Sequence, residues 1–179
     1  MKVIMKKVIV YGSQYGTTER YAKELSKRTG IEAYSYKEVR DLSAYDSIIY
    51  LGGLYAGGVL GLSKTIKLLP ENSHKELIIA TVGLADPKDS TNTDNIKKSI
   101  QKQIPKDIYD RAKIFHLRGG IDYGKLEFMH KTMMKFLVNK VKKTPIENQT
   151  SEEKEMIETY NKKVDFVNFD SLNDIIENA

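Results

Sequence analysis

Five short apolar runs alternate with segments whose apolar residues recur at helical spacing. Four of these runs are continuous rather than alternating, as expected of strands buried on both faces of a parallel sheet. A strand followed by a helix, repeated along the chain, is typical of a doubly wound α/β fold. The five predicted strands are Val8–Tyr11, Ile31–Tyr34, Ser47–Leu51, Leu77–Val82 and Lys113–Leu117.

Six segments predict helices, three between the strands and three after the fifth strand. Helical spacing marks their interiors, and Gly or Pro follows several of them. We expect Glu152–Lys162 to be an exposed helix. The simplest organisation is one domain over residues 1–179, in which residues 122–151 form an insertion that carries the longest helix. The predicted helices are Thr17–Arg28, Ser63–Leu69, Asp94–Gln103, Lys125–Lys143, Glu152–Lys162 and Ser171–Asn178.

Composition narrows the chemistry. The 179 residues are 40% hydrophobic and 30% charged, which indicates a globular rather than a disordered chain. The absence of cysteine excludes disulfides, thiolate catalysis and cysteine-based metal centres. No apolar run approaches the roughly 18 residues of a transmembrane helix, and Lys6 and Lys7 interrupt the apolar N-terminal stretch. We therefore expect a cytoplasmic protein without a signal peptide.

The sequence offers little for acid–base or metal catalysis. His74, His116 and His130 are scattered without metal-ligand spacing, so we expect each to be structural or at the surface. No combination of Ser, His and Asp indicates a catalytic triad. We therefore predict no metal site and no catalytic side chain.

The net charge of +5 is concentrated in one segment. Lys125–Lys143 contains six Lys and one Glu, so it accounts for the whole excess and for much of the pI of about 9.1. Such a helix can lie on an anionic membrane surface, or it can pack on the domain with a solvated Lys face. We expect no nucleic acid partner, because no aromatic platform accompanies the lysines. The predicted apolar stripe is Leu126, Met129, Met133, Phe136 and Leu137, extended by Met134, Val138 and Val141, and the opposite face holds Glu127, Lys131, Lys135, Asn139 and Lys142.

The loop between the first strand and the first helix is a candidate anion site. Ser13, Thr17 and Thr18 supply hydroxyl groups at a helix N-terminus, and Gly16 allows close backbone approach. Neither a Walker A loop nor a Gly-x-Gly-x-x-Gly loop is present, so the pattern suits one terminal phosphate. The alternative is an ordinary Ser/Thr-rich turn.

The run Ser13-x-Tyr15-Gly16-Thr17-Thr18, directly after a buried strand, resembles the FMN phosphate loop of flavodoxins. Tyr15 stands where many flavodoxins have Thr. The resemblance implies FMN as the cofactor and an α/β flavodoxin-like doubly wound fold. In that fold, a five-stranded parallel sheet of order 2-1-3-4-5 carries helices on both faces. The basic amphipathic helix would then be an insertion after strand five.

The resemblance also implies that two further loops hold the flavin ring. Tyr55 would pack on the ring, Ala56 or Gly57 would lie near N5, and the loop at Gly83 would border the pyrimidine edge. That loop has no aromatic residue, so only Leu84 is expected to cover its face of the ring. The predicted cofactor-binding residues are Ser13, Gln14, Tyr15, Gly16, Thr17, Thr18, Gly53, Leu54, Tyr55, Ala56, Gly57, Gly83, Leu84 and Ala85.

A second resemblance involves Leu117–Tyr123, which contains Gly119-Gly120-Ile121-Asp122-Tyr123, and the Lys/Met/Phe-rich segment Phe128–Phe136. Both are similar to the quinone-dependent protoporphyrinogen IX dehydrogenases of the flavodoxin superfamily. The resemblance implies an FMN oxidoreductase at the inner membrane surface that oxidises a tetrapyrrole and reduces a quinone. That branch commonly has Arg in the loop after strand three, and the corresponding loop here, Tyr55-Ala56-Gly57, contains no Arg. The candidate substrate or membrane residues are Arg118, Lys125, Lys131 and Lys135.

Two other functions stay open. One is a generic flavodoxin-like electron-transfer protein, although ordinary flavodoxins are usually acidic and dock on basic partners. The other is a flavodoxin-like domain that has lost FMN and binds a partner through the Lys-rich helix. The intact Ser13, Gly16, Thr17 and Thr18 argue against that loss.

Overall fold

The computed structural model describes residues 4–179. Residues 1–3, part of the N-terminal segment considered above as a signal peptide, lie outside the described residues. The strands are β1 (Lys7–Gly12), β2 (Ala33–Ser35), β3 (Ser47–Tyr55), β4 (Gly58–Val59), β5 (Glu76–Gly83), β6 (Lys113–Arg118), β7 (Gly120–Asp122) and β8 (Lys163–Asp165). The α-helices are α1 (Thr17–Thr29), α2 (Leu62–Ile66), α3 (Ser90–Gln103), α4 (Lys106–Arg111), α5 (Phe128–Val141), α6 (Ser151–Glu158) and α7 (Asn173–Asn178).

Five parallel strands form the central sheet in the order β2-β1-β3-β5-β6. Among these five strands alone, this is the predicted order 2-1-3-4-5, so the predicted fold is confirmed. The register places Gly12 opposite Gly52 and Gly83 opposite Arg118. The loops that follow β1, β3 and β5 therefore leave the sheet at the same edge, where ligands bind in folds of this kind.

Both faces of the sheet are buried, which explains the continuous apolar runs. Neighbouring residues of β1 serve opposite faces: Val8 and Val10 belong to one core cluster, and Ile9 belongs to the other. The first cluster includes Ile96 and Ile100 of α3. The second includes residues of α1 and α7. Side chains on either face of the sheet therefore pack into an apolar layer.

The third predicted strand extends four residues beyond its expected end, because it forms a hairpin. Leu54 pairs with Val59, and Tyr55 pairs with Gly58. Ala56 and Gly57 form the turn with φ angles of 49° and 79°. Two residues with positive φ are typical of the type I′ turn, whose twist matches that of the flanking strands. This segment was predicted to be a loop without strand structure.

Several predicted boundaries differ from the structure. Helix α3 begins at Ser90 rather than Asp94, because the side chain of Asp89 accepts a hydrogen bond from the Thr91 N–H and caps the helix. Helix α2 ends at Ile66 rather than Leu69. Helix α4 and the strand β8 were not predicted at all.

We call residues 120–165 the cap. It consists of the antiparallel pair β7–β8 with α5 and α6 between them. The predicted helix Lys125–Lys143 is shorter in the structure, since a 3₁₀ turn at Tyr123–Lys125 precedes α5. The cap has its own small core, in which only Ile121, Tyr123 and Met134 are fully buried. Tyr15 and Leu84, which belong to the predicted cofactor loops, pack against that core.

Candidate cofactor site

A cavity of about 530 Å³ lies between the edge of the sheet and the cap. Small-molecule sites usually span roughly 300–1,000 Å³, so the cavity is large enough for a cofactor. All of the predicted cofactor-binding residues line it except Gly16 and Ala85. The three predicted loops therefore come together, as the parallel order of the strands requires.

One end of the cavity is the N-terminus of α1. Gly16 occupies the N-cap position with a φ of 87°, and no described side chain caps this end of the helix. The first-turn N–H groups of an α-helix have no partner within the helix, and the helix dipole makes this end positive. Ser13 stabilises the turn that leads into the helix, because its Oγ accepts a hydrogen bond from the Gly16 N–H at 3.1 Å. This end of the cavity therefore suits an anionic group.

The two threonines of this loop behave differently. Thr17 donates its hydroxyl to the carbonyl of Gly120 at 3.0 Å, so it ties α1 to the cap. The hydroxyl that was considered as a phosphate donor is thus bonded to the cap in this structure. Thr18 is buried, with 3% of its surface exposed, and it lines the cavity.

The β3–β4 hairpin forms a second wall of the cavity and is held from α3. Ser99 donates to the carbonyl of Gly57 at 2.6 Å. The Gln103 side chain accepts from the Val59 N–H at 2.8 Å. Tyr55 lies half-buried on this wall, where sequence analysis predicted a ring-packing aromatic. These side chains of α3 fix the hairpin tip, and neither was singled out from the sequence.

The third wall is the loop after β5, where an acidic residue of the cap reaches in. Glu152 accepts hydrogen bonds from the N–H groups of Leu84 at 2.8 Å and Ala85 at 2.9 Å. Burial raises the pKa of Glu152, while these two N–H groups oppose the shift. The expectation that α6 is simply exposed is therefore wrong at Glu152. The Thr150-x-x-Glu153 capping box was a sequence signal for the start of this helix.

Helix α5 contacts the predicted cofactor loops directly. Tyr15 donates its hydroxyl to the Met134 Sδ at 3.2 Å, and Tyr55 donates to the Met133 Sδ at 2.6 Å. Burial raises the pKa of Tyr15 to about 12, so this phenol stays protonated at neutral pH. Helix α5 therefore lies against the loops that carry Tyr15 and Tyr55.

His130, which was predicted to be structural or at the surface, lies where α5 meets the first cofactor loop. The Nε2 of His130 lies 2.9 Å from the Nε2 of Gln14, and its ring meets Tyr15 edge-on at 5.8 Å between centroids. His130 thus links the first cofactor loop to α5. No group of three His, Cys, Asp or Glu within residues 4–179 is placed to hold a metal ion.

The outer surface of α5 is more apolar than predicted. Met134, Val138 and Val141 are buried, but Met129 and Phe136 are 76% and 69% exposed. The predicted apolar stripe is therefore divided in the structure, because only part of it packs against the domain. Phe128 is also 86% exposed. No helix within residues 4–179 has the length and hydrophobicity needed to cross a membrane.

The four cationic candidates lie away from the cavity lining. Arg118 donates from Nε to the carbonyl of Leu84 at 2.9 Å and pairs with Glu155 at 3.4 Å. Its guanidinium also lies 3.8 Å from the ring centroid of Phe166. Arg118 therefore joins the β5 loop to the cap. Lys125, Lys131 and Lys135 are exposed.

Residues 8–149 match the family model for the flavodoxin domain. This match covers most of the chain. The chain belongs to the flavodoxin-domain family. No curated protein matches it.

Solved structures with similar folds include flavoproteins. The chain is 17% identical to a putative flavoprotein from Bacteroides uniformis, covering 64% of this chain and 91% of that chain with a TM-score of 0.46. It is 13% identical to a flavoprotein in complex with FMN from Lactobacillus acidophilus, covering 64% and 93%, with a TM-score of 0.46. It is 16% identical to oxidised flavodoxin 1 from Bacillus cereus, covering 63% and 83%, with a TM-score of 0.40.

Proposed function

We propose that the chain is an FMN-binding redox protein. The observation that carries this proposal is the cavity at the carboxyl edge of a flavodoxin-domain sheet, with the uncapped N-terminus of α1 at one end. A phosphate accepts hydrogen bonds from first-turn N–H groups and is favoured by the helix dipole. The match of residues 8–149 to the flavodoxin domain supports the same cofactor.

The rest of the cavity fits the other parts of FMN. Leu54, Tyr55, Leu84 and Met156 offer apolar and aromatic surface to a flat ring. The N–H groups of Leu84 and Ala85 would serve as hydrogen-bond donors to ring carbonyls once Glu152 no longer accepts from them. When bound, FMN supplies the electron-accepting chemistry, so the protein needs only to bind, orient and shield it.

The phosphate position can be tested at Ser13 with two nearly isosteric substitutions. Both Asp and Asn can accept the Gly16 N–H as Ser13 does, so the turn is expected to persist. Ser13→Asp adds a negative charge where the phosphate would lie, and we expect it to weaken FMN binding roughly tenfold or more through repulsion of about 1.4 kcal/mol. Ser13→Asn should stay close to wild type.

Riboflavin, which lacks the phosphate, provides the control for this test. Flavin fluorescence titrations should give the two variants equal affinity for riboflavin. Equal FMN affinities for Ser13→Asp and Ser13→Asn would contradict a phosphate site at α1.

We further propose that the protein acts at a membrane surface, as an oxidoreductase of the protoporphyrinogen IX dehydrogenase (quinone) type. The motif resemblance at Leu117–Tyr123 and Phe128–Phe136 supports this finer function. The outer surface of α5 supports the membrane part, because exposed Phe128, Met129 and Phe136 stand among exposed lysines. Apolar side chains that enter the lipid boundary, with cations at anionic headgroups, are typical of interfacial helices.

Sedimentation with phosphatidylglycerol-containing vesicles tests the membrane proposal. Lys131→Glu/Lys135→Glu should abolish most of the binding, since each lysine near an anionic surface contributes about 1 kcal/mol. Lys97→Glu/Lys98→Glu makes the same charge change on exposed positions of α3 and should bind as wild type does. Equal loss in both pairs would indicate non-specific charge attraction and would contradict a docking role for α5.

Anaerobic oxidation of protoporphyrinogen IX with a menaquinone analogue tests the substrate. We expect flavin-dependent turnover. Binding of FMN without turnover would favour the generic electron-transfer protein. Absence of FMN binding would favour the flavin-less, partner-binding domain.

A further inference from the structure

One acidic side chain of the cap occupies backbone donors on the cavity wall. The two carboxylate oxygens of Glu152 accept hydrogen bonds from the adjacent N–H groups of Leu84 and Ala85, at 2.8 and 2.9 Å. One of these oxygens would lie only 2.9 Å from a Cβ added at Gly83. The carboxylate therefore lies directly against the backbone of the β5 loop, inside the cavity that Glu152 and Leu84 both line.

The surroundings of Glu152 only partly compensate its charge. The nearest cation is Arg118 on β6, but its guanidinium is already bonded to the carbonyl of Leu84 and to Glu155. Glu155 lies on the same helix as Glu152, and its charge disfavours ionisation of Glu152, so it adds to the effect of burial. The other charged groups that face this region are Lys140 of α5 and Glu153 of α6, which line the cavity, and Asp89 before α3, which is bonded to Ser151.

The backbone of Glu152 is held opposite the β5 loop. Glu152 lies in the first turn of α6, next to the reciprocal capping box of Thr150 and Glu153. Ser151 is bonded to Asp89 at 2.7 Å, which anchors the same turn to the start of α3. To leave its two donors with the helix intact, the carboxylate must change its side-chain rotamer and give up both hydrogen bonds.

We infer that Glu152 competes with the cofactor for the N–H groups of Leu84 and Ala85, and that it takes up one proton when FMN binds. This inference rests on the proposed function. A ring carbonyl is a weaker acceptor than an ionised carboxylate, so it does not displace one from a pair of donors. A protonated carboxyl group accepts more weakly and can itself donate to a ring carbonyl. Loss of the charge therefore makes the donors available while Glu152 stays in place.

This competition couples the affinity for FMN to pH. When the pH is above the pKa of Glu152 in the free protein, this carboxyl group must take up one proton from solvent for each FMN that binds. Linkage then weakens FMN binding by up to about tenfold for each unit of pH. The raised pKa of Glu152, caused first by burial, moves the onset of this dependence towards neutral pH.

Two variants on the same helix separate this competition from other effects. Glu152→Gln removes the charge and keeps an acceptor of the same size. Glu158→Gln makes the same chemical change at an exposed position of α6. FMN dissociation constants are measured by quenching of flavin fluorescence between pH 5 and pH 8.5. The FMN phosphate titrates equally in all three proteins, so the comparison between them cancels its contribution.

We expect Glu152→Gln to bind FMN more tightly than wild type at pH 8, by roughly tenfold or more, with the difference shrinking as the pH falls. Glu158→Gln should follow wild type. Parallel pH profiles for wild type and Glu152→Gln, with FMN bound by both, would overturn this inference and leave the proposed function standing. Absence of FMN binding by all three folded proteins would overturn both.

A measurement on the wild type alone covers the case in which Glu152→Gln does not fold. Calorimetric titration with FMN at pH 7.5, in two buffers of different ionisation enthalpy, counts the protons taken up. Riboflavin is titrated in parallel, because it carries no phosphate. Uptake approaching one proton with both ligands is expected, and zero uptake with riboflavin would overturn the inference.

Discussion

The central sheet and the cap are stabilised in different ways. Each face of the sheet has a large cluster of buried residues, formed by strands that the helices cover on both sides. The cap has a much smaller buried cluster of Ile121, Tyr123 and Met134, and the apolar residues packed against that cluster include Tyr15 and Leu84. The sheet is therefore complete without the cavity, whereas the cap depends on the same loops that form the site. This difference predicts that changes in the sheet act on the whole fold and changes in the cap act on the site.

The largest effect is expected in the sheet. Ile49 lies in β3 with no exposed surface, so Ile49→Ala should lower the free energy of unfolding by about 4 kcal/mol through lost burial and a cavity. Urea unfolding measures this loss. The exposed Ile146→Ala is the matched control and should change stability little. A loss below about 1 kcal/mol for Ile49→Ala would contradict the central role of this core.

In the cap, Met134→Ala should cost about 2–3 kcal/mol, because Met134 is 4% exposed and contacts Tyr15. We expect the loss to be local. Hydrogen exchange should quicken in residues 120–165 while the strands of the sheet stay protected. The exposed Met129→Ala on the same helix should leave exchange unchanged. Faster exchange throughout the sheet in Met134→Ala would show that the two regions unfold together.

A pH effect on stability is expected in the sheet at His116. Burial lowers the pKa of His116 from its ordinary 6.5 to about 4, and Thr81 Oγ1 lies 2.7 Å from its Nδ1. The unfolded chain therefore binds this proton more readily. The contribution to stability is complete above pH 6.5 and is lost as the pH falls towards 4. We expect a loss on the order of 1–2 kcal/mol after allowance for partial exposure.

Urea unfolding at pH 7 and pH 4.5 checks this effect. His116→Gln should show a smaller loss between the two pH values than the wild type does. The exposed His74→Gln should retain the full dependence. Identical dependence in all three proteins would rule out His116 as the group responsible.

The smallest effect is expected at the exposed link between the two regions. Arg20 of α1 pairs with Asp165 of β8 at 3.0 Å, and both side chains are about half exposed. Asp165→Asn should cost less than about 0.5 kcal/mol, because solvent screens such pairs. Its effect should shrink further in 1 M salt. A larger loss would mean that this pair, rather than the small core at Met134, holds the cap in place.

The same contrast separates what the sequence could predict from what it could not. Val8–Tyr11 and Leu77–Val82 are continuous apolar runs bounded by Gly, and their pattern fixes buried parallel strands and therefore the edge where the loops meet. Ser13 could be placed at that edge on this basis, because the loop after the first strand must begin there. The placement of Tyr55 against a flavin ring came from the resemblance to flavodoxins.

The arrangement of the cap could not be predicted, because tertiary contacts rather than local sequence decide which of its side chains are buried or hydrogen-bonded. Glu152 is one of several acidic residues in a polar helix, and nothing local marks it as the one bonded to Leu84 and Ala85. Phe136 and Met134 both fit an apolar stripe, yet only Met134 is buried. Ser99 and Gln103 likewise acquire their roles only when α3 packs against the β4 hairpin.

The most direct test of the central claim is a visible absorption spectrum. The purified protein is incubated with FMN, separated from excess cofactor by gel filtration, and compared with the same protein incubated with riboflavin. We expect a flavin spectrum with about one FMN per chain and weaker retention of riboflavin. A folded protein that elutes without FMN would contradict the claim that this cavity is a flavin site.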